Sequence, residues 1–360
     1  MLIAVLVIVG LSVLILGHEA GHFLVAKAFG LKIDEFGFGF PPRIKAWKKG
    51  ETEYSVNWLP FGGFVKISGE QGEFAVVDAA KISAEESAMQ KTAAEAVLND
   101  KRLFMNQPAW KKSLIVLAGV FTNFILGWLC ISAVLAIGSP QTLVISGTQA
   151  GSPAVQAGFQ AGDVIKDYKS SQTFIDFVNQ HKGQAITVAV LRNDREVDIS
   201  VTPRTQVAEG QGAIGIELSE GGAARENVLN ALWDGLQAAV LVSWLTLQAF
   251  YDLIRQLFVH ATLPAGVVGP VGIFGIAEET GKIGLTYLLQ FIGIISINLM
   301  VVNLIPFPAL DGGRFLLVLI EKIKGSAVPA KIEAYINGIG FALLLVLMVL
   351  LTVRDVRGLF

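Results

Sequence analysis

The chain has 360 residues, of which 53% are hydrophobic and 16% are charged, and its mean hydropathy is +0.58. This composition excludes an ordinary soluble protein and predicts an integral membrane protein. The net charge is −2 and the only cysteine is Cys130, so we expect neither a nucleic-acid-binding surface nor a disulfide framework.

The first predicted element is a membrane span over about Met1–Phe29, which contains His18, Glu19 and His22. It has no basic residue before its apolar run, so we expect a retained span rather than a signal peptide. Histidines four residues apart project from one face of a helix and can bind one zinc ion, with the intervening glutamate as general base. The alternative is a polar helix end whose side chains reach towards water, but ionisable groups this deep in an apolar segment usually mark a functional site.

Between the first two spans the sequence predicts strands and then a polar helix. The strand-like pieces are rich in aromatic and β-branched residues and are separated by Pro and Gly. They cover Phe36–Phe40, Arg43–Trp47, Glu53–Trp58 and Gly62–Ile67, and the helix covers Ala79–Asn99.

The second span is predicted over about Leu114–Ile137, and a soluble insert of about Val144–Thr202 follows it. Within the insert we expect a helix at Phe174–His181. We also expect a hairpin of Thr187–Leu191 and Val197–Val201 around Asn193 and Asp194. The size fits one small α+β domain.

Two further spans are predicted, at about Leu285–Ile305 and about Ile336–Val353, which makes four in total. Ala231–Phe258 is apolar but is interrupted by polar residues. A crossing there would place His18 and Asp311, a candidate third zinc ligand, on opposite sides of the membrane. We therefore predict an interfacial amphipathic helix instead.

A third zinc ligand must come from a distant segment, because a catalytic zinc site takes three protein ligands and keeps one open position. Asp311 ends the apolar run and follows a segment broken by Pro306 and Pro308. Such broken helices are tolerated in a membrane only where protein or a water-filled cavity satisfies the backbone. The alternative for Asp311 is a simple helix cap.

Basic residues flanking the spans predict the orientation. They cluster between the first and second spans and between the third and fourth spans. The positive-inside rule places both segments in the cytoplasm. The insert and both termini then face outwards, and His18 and Asp311 lie towards the cytoplasmic side.

Several motifs occur in one order along nearly the whole chain. They are the HEAGH motif at 18–22, GGFVKISGE at 62–70, GPVGI at 269–273 and NLIPFPALDGG at 303–313. In this the chain resembles the bacterial site-2 proteases, which are intramembrane zinc metalloproteases, and in particular those of the regulator of sigma-E type. The resemblance implies Zn²⁺ bound by His18, His22 and Asp311, with Glu19 as the catalytic base, and a single PDZ-like domain in the insert.

The same resemblance implies substrate contacts by Asn303, by the loop that contains Pro306, and by Asn123. The chain departs from the family at Val120, where a proline is usual, and at Arg314, where many relatives have histidine. We also expect strand residues Gly62, Gly63, Phe64, Val65 and Lys66 to pair with an unwound substrate. A plain hairpin strand is the alternative.

The predicted fold is an α-helical polytopic protein with about four transmembrane helices, a membrane-associated β-hairpin region and an inserted extracytoplasmic α+β PDZ-like domain. The predicted segments are residues 1–30 (first span), 31–112 (β region and polar helix), 113–138 (second span), 144–203 (PDZ-like domain), 204–283 (linker and interfacial helix), 284–313 (third span), 314–335 (cytoplasmic loop) and 336–360 (fourth span).

The predicted function is hydrolysis of peptide bonds within transmembrane segments of single-span proteins in the bacterial cytoplasmic membrane. The resemblance implies anti-sigma factors after a first cleavage, or remnant signal peptides, as substrates. The PDZ-like domain would either exclude bulky substrates or bind a new C-terminus. A membrane-anchored PDZ scaffold and a metal transporter are the alternatives without proteolytic turnover, and lipid is a partner in every case.

Overall fold

The structure is a computed structural model that describes residues 2–70, 100–192, 195–207, 212–260, 267–326 and 328–358. The predicted polar helix at Ala79–Asn99 and the predicted turn at Asn193 and Asp194 lie outside these ranges.

Most of the described residues are helical. The helices are α1 (Leu2–Ala28), α2 (Ala109–Ile137), α3 (Pro153–Ala157), α4 (Ser171–Gln180), α5 (Val228–His260), α6 (Pro270–Ile283), α7 (Leu285–Leu304), α8 (Asp311–Lys324) and α9 (Ala330–Gly358). The strands are β1 (Ile33–Lys49), β2 (Thr52–Ile67), β3 (Thr142–Thr148), β4 (Val164–Ile165), β5 (Ile186–Arg192), β6 (Arg195–Val201) and β7 (Ile216–Gly221).

Five helices in the described part of the chain are long and apolar enough to cross a membrane, and they belong to α1, α2, α5, α7 and α9. The prediction of a helical multi-pass membrane protein is therefore confirmed. The candidate span within α5, Val228–Gln256, has a mean hydropathy of 1.3, whereas the other four have values of 2.0 to 2.5. Length and composition thus permit a crossing by the segment that the sequence interpretation places at the membrane interface.

Helix α5 contacts two of the other candidate spans. Trp128 Nε1 on α2 donates a hydrogen bond of 2.8 Å to the carbonyl of Leu232 near the start of α5. About one turn beyond the middle of α7, Asn298 Oδ1 accepts a hydrogen bond of 2.7 Å from Thr246 Oγ1. The helix therefore touches α2 near its start and α7 near its middle, and these contacts satisfy some of its polar groups.

Strands β1 and β2 form an antiparallel hairpin that folds back on itself. Phe36 pairs with both Tyr54 and Val65, so the first half of β1 lies between the two halves of β2. The four predicted strand pieces are thus joined into two long, bent strands. The last part of β2, residues 62–67, lies at an edge of this sheet, since among the described residues it pairs only with residues 33–38.

Residues 133–231 form a second compact unit, separate from the helical unit of residues 1–132 and 232–360. It contains an antiparallel five-stranded sheet in the order β6-β5-β4-β3-β7. Its core includes Leu143, Ile145, Phe174 and Val190. The predicted helix and hairpin are present, but the sheet also includes β7, which lies beyond the predicted domain boundary at residue 203.

Candidate active site

The two histidines lie on α1 where this helix packs closely against α2. A Cβ atom on Gly21 would lie 2.6 Å from the carbonyl oxygen of Ala118, so only glycine permits this packing. His18 and His22 are one helical turn apart, and their Nε2 atoms are 3.3 Å from each other. The apolar run and its glycines therefore place both imidazoles against α2.

Asp311 reaches the same point from the opposite end of the chain. It is the first residue of α8 and follows the proline-containing loop after α7. A Cβ atom on Gly312 or Gly313 would lie 2.2 Å from the carbonyl oxygen of Ile305 or Phe307, respectively. These two glycines therefore allow the helix to start directly against the loop. Asp311 Oδ2 then lies 3.1 Å from His18 Nε2 and 3.4 Å from His22 Nε2.

This arrangement fits a zinc ion. The three atoms form a triangle with sides of 3.1, 3.3 and 3.4 Å. Four ligands at about 2.0–2.1 Å from a tetrahedral zinc ion stand about 3.3–3.4 Å apart. Asp311 Oδ2 is buried and accepts no hydrogen bond from any described residue, as expected for an atom whose partner is a metal. No second group of three such ligands occurs among the residues that the structure describes.

Further contacts orient the imidazoles. His22 Nδ1 lies 2.8 Å from the carbonyl oxygen of Ile115, so Nδ1 carries the proton and Nε2 is left as the free ligand atom. Asn123 lies 3.3 Å from His18 Nδ1 through its amide nitrogen. Its Oδ1 atom is buried and has no partner among the described residues. Rotating this amide by half a turn would place the oxygen on Nδ1–H and free His18 Nε2 in the same way.

A cleft of about 290 Å³ opens beside the three ligand atoms. It is lined by Ile15, His18, Glu19, Asn123, Leu299, Asn303, Ala309, Leu310 and Asp311. Glu19, Asn123 and Asn303, three of the predicted site residues, therefore face one space. Pro306 is exposed and is not among the lining residues.

The edge segment of β2 passes Glu19. A Cβ atom on Gly63 would lie 3.4 Å from Glu19 Cγ, so the strand backbone is next to the carboxylate side chain. The other predicted strand residues lie farther along this edge. Val65 packs against a core cluster between α1 and α2, and Lys66 Nζ lies 3.4 Å from Glu35 Oε2.

Sequence reasoning missed two residues of the site, Ile115 and Gly119. A Cβ atom on Gly119 would lie 2.3 Å from His22 Nε2 and 2.8 Å from His18 Cε1. The available signal was spacing: Ile115, Gly119 and Asn123 are four residues apart and share one face of α2.

Comparison with known proteins decides the family, because the sequence profile of peptidase family M50 matches residues 6–347. The chain belongs to peptidase family M50. It is 30% identical to the regulator of sigma-W protease RasP of Bacillus subtilis, over 99% of this chain and 98% of that protein. It is similar to the zinc metalloproteases RasP of Geobacillus kaustophilus (29% identity, 98% and 97% covered) and Oceanobacillus iheyensis (27%, 97% and 97%).

These matches confirm the resemblance to the site-2 proteases. This M50 peptidase is a zinc metalloprotease, and its cofactor is Zn²⁺.

Proposed function

We propose that this M50 peptidase cleaves peptide bonds within transmembrane segments of single-span proteins, with His18, His22 and Asp311 as its zinc ligands and Glu19 as its base. The observation that carries the proposal is the triangle of ligand atoms, with Glu19 in the same cleft. Three of the helices that line this cleft, α1, α2 and α7, are apolar enough to cross a membrane.

The chain's own residues supply the remaining chemistry. Bound zinc supplies a Lewis acid and lowers the pKa of a water molecule to about 7. The Glu19 carboxylate accepts a proton from the attacking water and delivers it to the leaving amine. The amide of Asn303, which lines the cleft, can bind backbone groups of the substrate. Asn123 has two candidate roles, orientation of His18 and contact with the substrate.

A transmembrane substrate must unwind before it is cut, because its peptide groups are hydrogen-bonded within its own helix. Among the described residues, no strand pairs with the side of segment 62–67 that faces away from β1, and this segment passes Glu19 at Gly63. A substrate strand added to this edge would therefore run past the base. Gly62 and Gly63 have no side chain that would obstruct this approach.

The orientation follows from the positive-inside rule applied to the basic residues between the spans. The zinc site lies towards the cytoplasmic side of a bacterial cytoplasmic membrane, and the unit of residues 133–231 lies outside. The name of the B. subtilis relative connects that protein with regulation of a sigma factor. This favours anti-sigma factors as substrates, with remnant signal peptides as a second class.

The outer unit has a groove that supports peptide binding by a PDZ-like domain. The groove has a volume of about 590 Å³ and lies between α4 and β7, an edge strand of the sheet. Phe174 and Val178 line one side, Ile214 and Ile216 line the other, and Lys182 adds a cation. An extended C-terminus could add to β7 with its carboxylate near Lys182. Exclusion of bulky substrates is the other proposed role of this unit.

The test is Glu19→Gln in the purified protein, assayed with a single-span substrate in detergent. We expect turnover to fall by about 10²–10⁴-fold, the range for loss of a general base, while zinc stays bound in wild-type amount. Glu278→Gln on α6, an exposed glutamate, is the matched control and should cleave as the wild type does. Wild-type turnover in Glu19→Gln would refute the mechanism, since a scaffold or a transporter has no need of this carboxylate.

A further inference from the structure

One face of α8 carries two ion pairs that the proposed chemistry does not use. Arg314, Leu317, Val318 and Glu321 share this face, because they are spaced three or four residues apart. Arg314 Nη1 donates a hydrogen bond to Glu70 Oε1. About two turns farther along α8, Glu321 Oε2 accepts a hydrogen bond of 3.2 Å from Lys112 Nζ on α2. Both pairs line a cavity of about 230 Å³ that is distinct from the cleft beside Glu19.

Glu70 is rigidly connected to the proposed substrate strand. It follows the end of β2 by three residues, and its N–H donates to the carbonyl of Ile67 at 3.1 Å. The intervening Ser68 is fully buried. Its N–H donates to the carbonyl of Lys32 at 3.0 Å, and its own carbonyl accepts from Phe104 N–H at 2.9 Å. The backbone of Glu70 is therefore anchored directly to the end of the edge segment 62–67.

Arg314 is connected in the same way to the proposed zinc ligand. It lies three residues after Asp311 in the first turn of α8, and its N–H donates to the carbonyl of Leu310 at 3.1 Å. Gly312 and Gly313, which lie between Asp311 and Arg314, are packed against the loop backbone. The guanidinium and the Asp311 carboxylate are thus on one short rigid piece of helix.

We propose that Arg314 and Glu70 form a positioning pair, which fixes the edge strand relative to Asp311. The proposal rests on the proposed function, in which this strand binds the substrate. The pair joins the element that would hold the scissile segment to the element that would hold the metal. A misplacement of about 1 Å in such an arrangement can cost about 100-fold in rate. Arg314 and Glu70 would thus control whether the scissile peptide bond of the bound strand lies within reach of Glu19.

The experiment compares Glu70→Gln, Arg314→Met and the double variant with Lys112→Met/Glu321→Gln. The control removes the other ion pair on the same face of α8, about 10 Å farther along the helix axis. We expect each single variant to lower kcat/KM for a single-span substrate by about 10- to 100-fold. The double variant should be no worse than the poorer single variant, because the two residues act as one unit. The control should stay within about threefold of the wild type, and all variants should retain zinc.

A binding readout separates this proposal from the proposed function. In the inactive Glu19→Gln background, adding Glu70→Gln or Arg314→Met should weaken substrate binding by about tenfold. Should a single variant fail to fold, the exchanged pair Glu70→Arg/Arg314→Glu should recover folding and binding. Wild-type substrate affinity in the single variants, or additive losses in the double variant, would overturn the positioning role. Neither outcome would touch the proposed function, which depends on Glu19→Gln alone.

Discussion

Gly119 of α2 leaves no room for a side chain beside the two imidazoles. A Cβ atom there would lie 2.3 Å from His22 Nε2, well inside van der Waals contact. Rotation of the His22 ring would break the hydrogen bond from its Nδ1–H to the carbonyl of Ile115. An added methyl group must therefore displace either the ring or the whole of α1.

We predict that Gly119→Ala weakens zinc binding by about 10- to 100-fold, the range found when a contact that orients a ligand is lost. The measurement is a chelator competition on the purified protein. Gly275→Ala is the control, since Gly275 on α6 has no atom within 4 Å of a Cβ position. A Gly119→Ala protein with wild-type zinc affinity would show that the ring position is not set by this contact.

At this scale the sequence predicts the residues that carry chemistry and misses those that make space. His18, Glu19 and His22 were found because their spacing on a helix is itself a chemical signal. Asp311 was found because a carboxylate at the end of an apolar run is costly. Gly119 has no chemistry of its own, so its spacing from Asn123 places it on the right face of α2 but does not reveal its close contact with the imidazoles, which depends on the packing of α1 against α2. The pairing of Arg314 with Glu70 spans 244 residues and has no local signal at all.

Among the elements, α5 and α6 change the argument about topology. The sequence interpretation excluded a crossing by Ala231–Phe258, because it counted no return before Leu285. Helix α6 has 14 residues, too few for a span by length alone. In the structure it forms a hairpin with α7, and Ala277 and Leu288 pack together with Val7 of α1. If α5 crosses from the outer to the cytoplasmic side and the chain returns to the outer side before α7, Asp311 and His18 still lie on the same side of the membrane.

We predict that α5 enters the membrane and that its end lies on the cytoplasmic side. Thr246 is bonded to Asn298 on α7, one to two turns before the Asn303 that lines the cleft, so Gln256 should lie deeper still. In a Cys130→Ser background, Gln256→Cys should react with a membrane-impermeant thiol reagent from the cytoplasmic side. Gly281→Cys is the reference and should react from the outer side. Reaction of Gln256→Cys from the outer side would contradict this crossing and support the interfacial helix predicted from the sequence.

Strand β7 belongs to the compact unit of residues 133–231 but lies beyond the domain boundary predicted at residue 203. The predicted hairpin of β5 and β6 alternates buried and exposed residues, whereas β7 has no buried residue and ends in Glu220 and Gly221. Its place in the sheet depends on pairing with β3, about 70 residues earlier in the chain. Contacts of this kind are fixed by tertiary structure and are not encoded in a local pattern.

The whole molecule consists of two compact units, and a different interaction is central to each. In the helical unit it is the proposed zinc site, which joins α1 to α8. In the unit of residues 133–231 it is the pair of Asp163 and Arg192. Arg192 Nε and Nη2 donate to the two carboxylate oxygens at 2.7 and 2.6 Å, and the Asp163 side chain is only 1% exposed.

Burial opposes ionisation of Asp163, but the hydrogen bonds from Arg192 and from the N–H of Gln160 outweigh it and hold the pKa below its usual value. A carboxyl group whose pKa is lowered by folding stabilises the folded state above its unfolded pKa, about 3.9. That contribution is lost as the pH falls through the folded pKa. The unit of residues 133–231 should therefore keep this contribution at neutral pH and lose it as the pH falls below the unfolded pKa, about 3.9.

We predict that the two units respond separately in scanning calorimetry at neutral pH. Removing zinc should lower the transition of the helical unit, because a ligand that binds only the folded state stabilises it. Arg192→Met should lower the transition of the unit of residues 133–231, since it leaves a buried carboxylate without its cationic partner, at a cost of about 1–3 kcal/mol. Lys166→Met is the control, because it removes a pair with Glu196 in which both side chains are about half exposed and water screens the two charges. A single transition that shifts equally with zinc removal and with Arg192→Met would mean that the two units unfold as one.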